Sequence, residues 1–474
     1  SSVEHKDSLN AKEREYIDAN PTTIQLSDYM TVKAKIFAQY YPLGIFYLLP
    51  VFLQIAAIVV FGYSLWTHDH FNHLQSTAVV LGVIIGIVST GGFVQVIGRQ
   101  ATFYWNYQDY SMTKKAIDYL LLTGVKTLII IFISIYFINT FFHIFPFKML
   151  SIIIAYSFSV GLLLLILAPL HTIKQRWMIT VSVVLGTIVT IILNKYSSLL
   201  IYYTHWFGIS VAILSAKIFL YYFFKKNLKK KPAKSDLKIK PSVLIYQNYH
   251  YFLYGFCIYF FIFIDRILAW STTSEGQLPV IVYFEKDYEL GMDLAILVFL
   301  LLAGVLEYSI ASFTRFLDIS QKLINFENPK IFNKELHKLY WQNISILLIT
   351  TVVIYIIIYQ IIYADWGYRG QFNEDLKSLS VKVCLIGGIG YFFLAWGMLN
   401  TLYLFTLGKT VYSIRGILYA IVINLSIGFV LSRFISFEYS VVGMMLGSVF
   451  FMFYTLKHIF QLFKKLDYHY YAAY

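Results

Sequence analysis

The sequence predicts an all-α, polytopic membrane protein with about 12 transmembrane helices in two six-helix bundles. Three observations predict it. Of 474 residues, 58% are hydrophobic and only 13% charged, with a mean hydropathy of +0.66. A soluble domain carries roughly a quarter charged residues, because its surface must face water. The apolar residues also gather in runs of about 20, the length a helix needs to cross the hydrocarbon layer and about twice what a tilted strand needs. Finally, most of the lysines and arginines lie between those runs, on alternating connections.

The runs follow in order. The first six are Tyr41–Trp66, Leu74–Gly98, Tyr119–Phe142, Met149–His171, Trp177–Leu193 and Leu199–Phe224; together, residues 41–224 form the predicted N-terminal bundle. The next six are Val243–Trp270, Leu290–Phe313, Trp341–Tyr363, Ser380–Leu407, Val411–Phe434 and Ser440–Phe463, within a C-terminal bundle over 243–465. At 1.5 Å rise per residue each suffices to span with some tilt, Trp177–Leu193 being the shortest. Residues 1–40 read as a cytoplasmic amphipathic tail, with Ser27 capping a helix through Met30, Val32, Ile36 and Phe37. Thr102–Tyr119, mixing aromatics with charges, reads as an interfacial segment ahead of the third span. These first forty residues are polar and show no cleavable signal, and the sequence opens on Ser1, so a processed or longer start is expected.

Orientation follows from the cations. Even-numbered connections hold Arg99, Lys114 and Lys115; Lys174 and Arg176; the Lys225–Lys240 stretch; Arg315, Lys322, Lys330, Lys334 and Lys338; and Lys409 and Arg415. Lys457, near the end of the last span, and Lys464 and Lys465 after it lead into a tail over 466–474. Odd-numbered connections hold only Lys148, Lys195, Lys286, Arg369, Lys377 and Arg433. The positive-inside rule then places both termini in the cytoplasm of a multi-pass cell-membrane protein. Residues 225–242 read as a basic cytoplasmic linker between halves, either a plain topology determinant or a contact for anionic lipid. Two six-helix halves around a substrate site are a transporter design.

Composition and motifs exclude several classes. The net charge of +13 sits in loops, where topology accounts for it, so a nucleic-acid partner is not expected. Cys257 and Cys384 both fall inside apolar runs, as small buried residues rather than a disulfide framework. There is no Walker loop, no His-Glu-x-x-His and no Gly-x-Ser-x-Gly, so no catalytic residues, metal site or cofactor are expected, and the chain is not read as an enzyme. His171, His205 and His250 lie near spans without a second ligand at metal spacing. The 40 tyrosines and 41 phenylalanines suit either interfacial belts and a lipid face or stacking along a sugar path.

Charges within spans cost a few kcal/mol on insertion scales, so they usually face a cavity or a partner. The candidates for a substrate cavity are Glu307, Asp293, Asp265, Arg266 and Lys217. Asp293 and Glu307 stand fourteen residues apart, about four turns, on one face of the eighth span. That face lines a cavity, or it pairs with Lys126, Lys217 or Lys382; the two lysines near helix ends, Lys126 and Lys382, can snorkel. Asp265 and Arg266, near the outer end of the seventh span, either close a gate or anchor the helix. Gly91 and Gly92 in the second span and Gly387, Gly388 and Gly390 in the tenth allow a bend or a close helix approach.

Several stretches together resemble the Pel exopolysaccharide transporter family (PelG), within the multidrug/oligosaccharide-lipid/polysaccharide flippase superfamily. They are Thr90-Gly91 followed by Arg99, the run Ile264-Asp265-Arg266-Ile267-Leu268-Ala269-Trp270, and Tyr288 through Ala295. Leu402 through Lys409, on to Asn424, and the ending Leu466-Asp467-Tyr468 complete the set in the same order. The resemblance departs at residues 1–40, which lack the family's glycine-rich start, and at Tyr308–Ser312, which is uncharged. It implies a MATE/flippase-like fold that exports a cationic amino-sugar polymer involved in biofilm, beside a cytosolic glycosyltransferase and membrane partners responsive to cyclic di-GMP. The alternatives are a lipid-linked oligosaccharide flippase or drug exporter of the same fold, a membrane-embedded transferase, or a non-transporting scaffold.

Overall fold

The computed structural model describes residues 26–45, 49–68, 71–230, 240–272, 282–323, 329–372 and 374–464. The first 25 residues, the tail over 466–474 and, of the expected linker over 225–242, residues 231–239 lie outside the described residues; residues 225–230 and 241–242 of that linker are helical. The helices are α1 (Leu26–Ile45), α2 (Leu49–Phe61), α3 (His73–Asn106), α4 (Tyr110–Phe142), α5 (Phe147–Thr172) and α6 (Arg176–Tyr196). Then come α7 (Ile201–Lys230), α8 (Pro241–Trp270), α9 (Lys286–Leu323), α10 (Pro329–Tyr363), the short α11 (Tyr368–Phe372), α12 (Ser378–Thr406), α13 (Thr410–Phe434) and α14 (Ser440–Phe463). Among the described residues, eleven helical spans are long and apolar enough to cross a membrane, or up to 12 if α1 and α2 form one span. The only pairing of extended backbone among the described residues is an isolated bridge between Tyr63 and His68.

Local chemistry sets several ends. Asn72 and Gln75 form a capping box at the start of α3, each side chain bonded to the other's backbone N–H at 2.8 and 3.0 Å. Asp109 caps α4 through the Met112 N–H at 3.0 Å. Thr102–Tyr119, expected as an interfacial segment, comprises the end of α3, a turn and the beginning of α4. The expected first span is described as two helices, α1 and α2. Pro42 removes a donor near the end of α1, and Pro50 suits the first turn of α2. Helix α1 begins at Leu26, so Ser27 lies within it rather than capping it. Gly62, at φ 76°, ends α2 in the left-handed region.

The chain divides into two compact units. One holds α2 to α8, α9 up to Gly291, and 413–447 of α13 and α14. Within it α3 packs on α4, α5 and α8, and α6 on α7. Close approach needs small residues: a Cβ at Gly86 would meet the Ser157 carbonyl of α5 at 2.7 Å, and one at Gly208 would meet the Gly186 carbonyl of α6 at 2.7 Å. Leu65, fully buried though it lies in the loop after α2, joins Val160, Leu163, Ile209 and Ala212 in one core cluster. Its N–H is taken by Gln54 Oε1 at 2.8 Å, and Gln54 Nε2 donates to Thr187 at 2.8 Å.

The other unit holds α1, α9 from Met292, α10 to α12, α13 to Tyr412 and α14 from Ser448. A buried polar chain ties three of its helices: Trp396 Nε1 donates to Tyr340 Oη at 2.9 Å, and Tyr340 to Asn400 Oδ1 at 2.7 Å. Asn400 Nδ2 continues to Thr455 at 3.1 Å, while Asn343 donates to Tyr403 at 2.9 Å. Such bonds hold apolar helices together where lipid offers no hydrophobic drive between them.

Candidate functional site

Four elements of the first unit converge around the end of α8. Asp265 and Arg266 are buried there, at 0% and 4% exposure. The chain then turns, and the Tyr283 N–H bonds the Trp270 carbonyl at 2.9 Å while the Phe284 N–H bonds Thr77 Oγ1 at 3.0 Å. These contacts deliver the first turn of α9, where Asp287 and Glu289 suit the positive end of the helix dipole. Tyr288, also fully buried, donates to Asp265 Oδ2 at 2.7 Å and accepts from Ser440 Oγ of α14 at 2.9 Å. Arg266 forms an ion pair with Glu289 Oε1 and lies 5.6 Å over the Phe263 ring. From α13, buried Asn424 donates to the Phe261 carbonyl of α8 at 3.4 Å.

The fit is tight. A Cβ at Gly443 would sit 2.6 Å from Gly428 N and 2.8 Å from the Asn424 carbonyl, so α13 and α14 touch backbone to backbone. Arg433 seals the margin: it donates to the Leu268 carbonyl at 3.0 Å and to Ser271 Oγ at 2.6 Å, over the Phe429 ring at 4.6 Å. A cation on the last carbonyls of α8 is favoured by the helix dipole.

The remaining sequence-expected residues lie elsewhere. Asp293 is exposed and Glu307 half-buried, both on the stretch of α9 that belongs to the second unit. Gly304 of that stretch packs on α1, where its absent Cβ is replaced by Tyr41, and Phe37 meets Tyr308 edge to face at 5.3 Å. Lys217 is exposed on α7 and acts electrostatically on Asp118 of α4, a carboxylate that the expected third span left outside its boundary. Lys126 is exposed and Lys382 half-buried.

The glycines serve contact. Gly91 and Gly92 let α8 lie against α3, their missing side chains replaced by Tyr259 and Phe252; Gly255 answers from α8, its Cβ position 2.6 Å from the Gly91 carbonyl. Gly387, Gly388 and Gly390 are buried in α12, and Gly388 faces the Tyr355 hydroxyl. His205 is fully buried, with Tyr156 Oη 2.7 Å from its Nδ1 and Phe71 edge-on at 5.9 Å. No group of three or more His, Cys, Asp or Glu side chains among the described residues is placed to hold a metal.

The sequence pointed to Asp265 and Arg266 because ionised groups stand out in an apolar run. It missed their partners Tyr288, Glu289, Asn424 and Ser440 as site residues. The available signal was weak: a Tyr-Glu pair just ahead of the eighth run, one amide amid the eleventh and a serine opening the twelfth.

No family model matches the chain, and no curated protein matches it. Solved structures do. One is an outward-facing conformation of a multidrug resistance MATE family transporter of the MOP superfamily, with a TM-score of 0.62 at 11% identity, covering 92% of this chain and 97% of that one. A MATE structure in complex with MaD3S gives 0.61 at 12% identity over 91% and 97%. A MATE structure in the bent conformation gives 0.60 at 11% identity over 93% and 97%. At such identities the likeness establishes the fold, which is MATE-like over nearly the whole chain.

Proposed function

We propose that the chain is a cell-membrane transporter that exports an exopolysaccharide, a Pel-like cationic amino-sugar polymer, by alternating access. The observation that carries the transport part is the fold: a MATE-like helical architecture over 97% of a neighbour that is itself described as a transporter. The acidic face of α9 supports the cargo part. Asp293 is exposed and Glu307 half-buried amid an apolar helix, where a carboxylate attracts an ammonium group far more strongly than in bulk water. The ordered patches that resemble the Pel exporters point the same way. In this reading a cytosolic glycosyltransferase feeds the polymer from the side where both termini lie, alongside membrane partners of an export complex.

The test is polymer secretion by Glu307→Gln and Asp293→Asn in an otherwise intact system. Each is expected to lower secretion at least about tenfold, the equivalent of ~1.4 kcal/mol of lost attraction. Full secretion by both would remove the cationic cargo. A second reading, a drug exporter, draws on the multidrug description of one neighbour. Efflux of a cationic dye by the purified protein in liposomes, without any polymer, would favour it.

A further inference from the structure

Helices α4 and α7 meet inside the unit that holds α2 to α8. Ile117 of α4 and Ala216 and Leu220 of α7 share one buried cluster, with Leu121 packed against it. The residue that follows each of the first two turns the other way: Asp118 and Lys217 are both exposed. Each stands on an outward stripe that is otherwise apolar. Leu122, Ile129 and Ile133 are exposed along α4, and Leu214, Ile218 and Tyr221 along α7. Exposed apolar side chains in the middle of such long apolar helices are solvated by lipid tails. A carboxylate and an ammonium group therefore face the bilayer side by side, and Asp118 is acted on by Lys217 and by Lys114, one turn back on its own helix.

The depth of this pair is marked by its surroundings. Tyr221 and Tyr222, one turn along α7 from Lys217, are exposed, and so is Trp177, which packs on Phe219 at 5.8 Å. Lys225 lies 5.7 Å over the Tyr221 ring. Exposed Tyr and Trp gather where headgroups meet water. Asp118 and Lys217 stand about one turn inside that belt, where a headgroup joins its acyl chains. A lysine at this depth can reach outward along its four-carbon stem. The Asp118 carboxylate, one carbon from the backbone, stays where α4 puts it, and a charge held inside a membrane calls for a partner.

We propose that the seam between α4 and α7 binds one aminophospholipid of the phosphatidylethanolamine class, its ammonium on Asp118 and its phosphate on Lys217 and Lys114. The acyl chains then run along Leu122, Leu214 and Ile218. Lysines alone accept any lipid phosphate. The carboxylate supplies the selection: it accepts hydrogen bonds from a primary ammonium, finds no N–H on a choline headgroup, and meets no cation on a glycerol headgroup. The site stands apart from the cargo reading, since it rests on none of the residues used there.

The experiment adds phosphatidylethanolamine, phosphatidylcholine or phosphatidylglycerol of the same acyl chains to the purified full-length chain in detergent, with melting followed by fluorescence. A ligand that binds only the folded state raises Tm saturably with its concentration. Wild type is expected to respond to phosphatidylethanolamine at a concentration about tenfold below that needed for phosphatidylcholine, as for one charge-assisted hydrogen bond. Asp118→Asn is expected to bring the two lipids level, and Lys217→Gln to weaken the response to all three. If Asp118→Asn does not fold, Lys217→Gln carries the test. Equal responses of wild type to the three lipids overturn the proposal. So does a stronger response to phosphatidylglycerol than to phosphatidylethanolamine, which would mark a plain basic patch, or a preference left unchanged in both variants.

Discussion

Replacing Arg266 should destabilise the protein far more than replacing its own ion-pair partner. The Arg266→Leu change leaves two carboxylates, Asp265 and Glu289, in a cluster from which water is excluded. Stranding a buried charge in this way costs about 3–5 kcal/mol. The Glu289→Leu change leaves Arg266 beside Asp265, its neighbour in sequence, so the cluster ends neutral. Its cost is then mainly the lost charge-assisted hydrogen bond, about 1.5–3 kcal/mol. The double variant removes both members of the pair and should be more stable than Arg266→Leu alone, because an apolar replacement of a buried pair is often near neutral. Apparent melting by fluorescence-detected gel filtration ranks all three. Equal losses in Arg266→Leu and Glu289→Leu, or a double variant below Arg266→Leu, would refute the charge argument.

Two further outcomes follow from packing and hydrogen bonding. Gly443→Ala places a methyl 2.6 Å from Gly428 N, where only backbone could give way, and should cost about 1–3 kcal/mol, read as a lower melting temperature. Tyr156→Phe removes the one hydroxyl bonded to buried His205 and should cost about 1–3 kcal/mol, with its oligomeric profile on gel filtration unchanged.

Much of the fold was legible because hydrocarbon length and apolar run length are the same constraint. The run Ser440–Phe463 matches α14 end to end, and Phe147–Thr172 exceeds its predicted run only slightly. The misjudged boundaries share a cause. Helices α9 and α10 run well past the apolar segment, over residues such as Lys286 and Lys334, which hydropathy reads as loop but which are helical. At the first run, Tyr41–Trp66, hydropathy gave no sign of two helices, α1 with Pro42 inside it and α2 with Pro50 in its first turn.

The candidate site was half legible for a related reason. Asp265 and Arg266 are ionised groups in oily sequence, so their cost is visible in one dimension. Their partners are reached by a turn, a second helix start and two later helices, and no local pattern marks a tyrosine or an asparagine as theirs. Gly91 and Gly92 were legible as small residues, while Tyr259 and Phe252, which lean into the space they leave, were not.

The loop after α2 bears on how this protein can be mapped. Ser64 and Leu65 are inaccessible although they link two spans, because Gln54 and Thr187 fasten the segment from the helices beneath it. A thiol reagent applied to cysteines placed there would meet silence on either face of the bilayer, and the loop would be scored as intramembrane. An epitope inserted at that point would break the fastening. The connection around His143–Pro146, whose His143 is exposed, is the sounder place for a reporter.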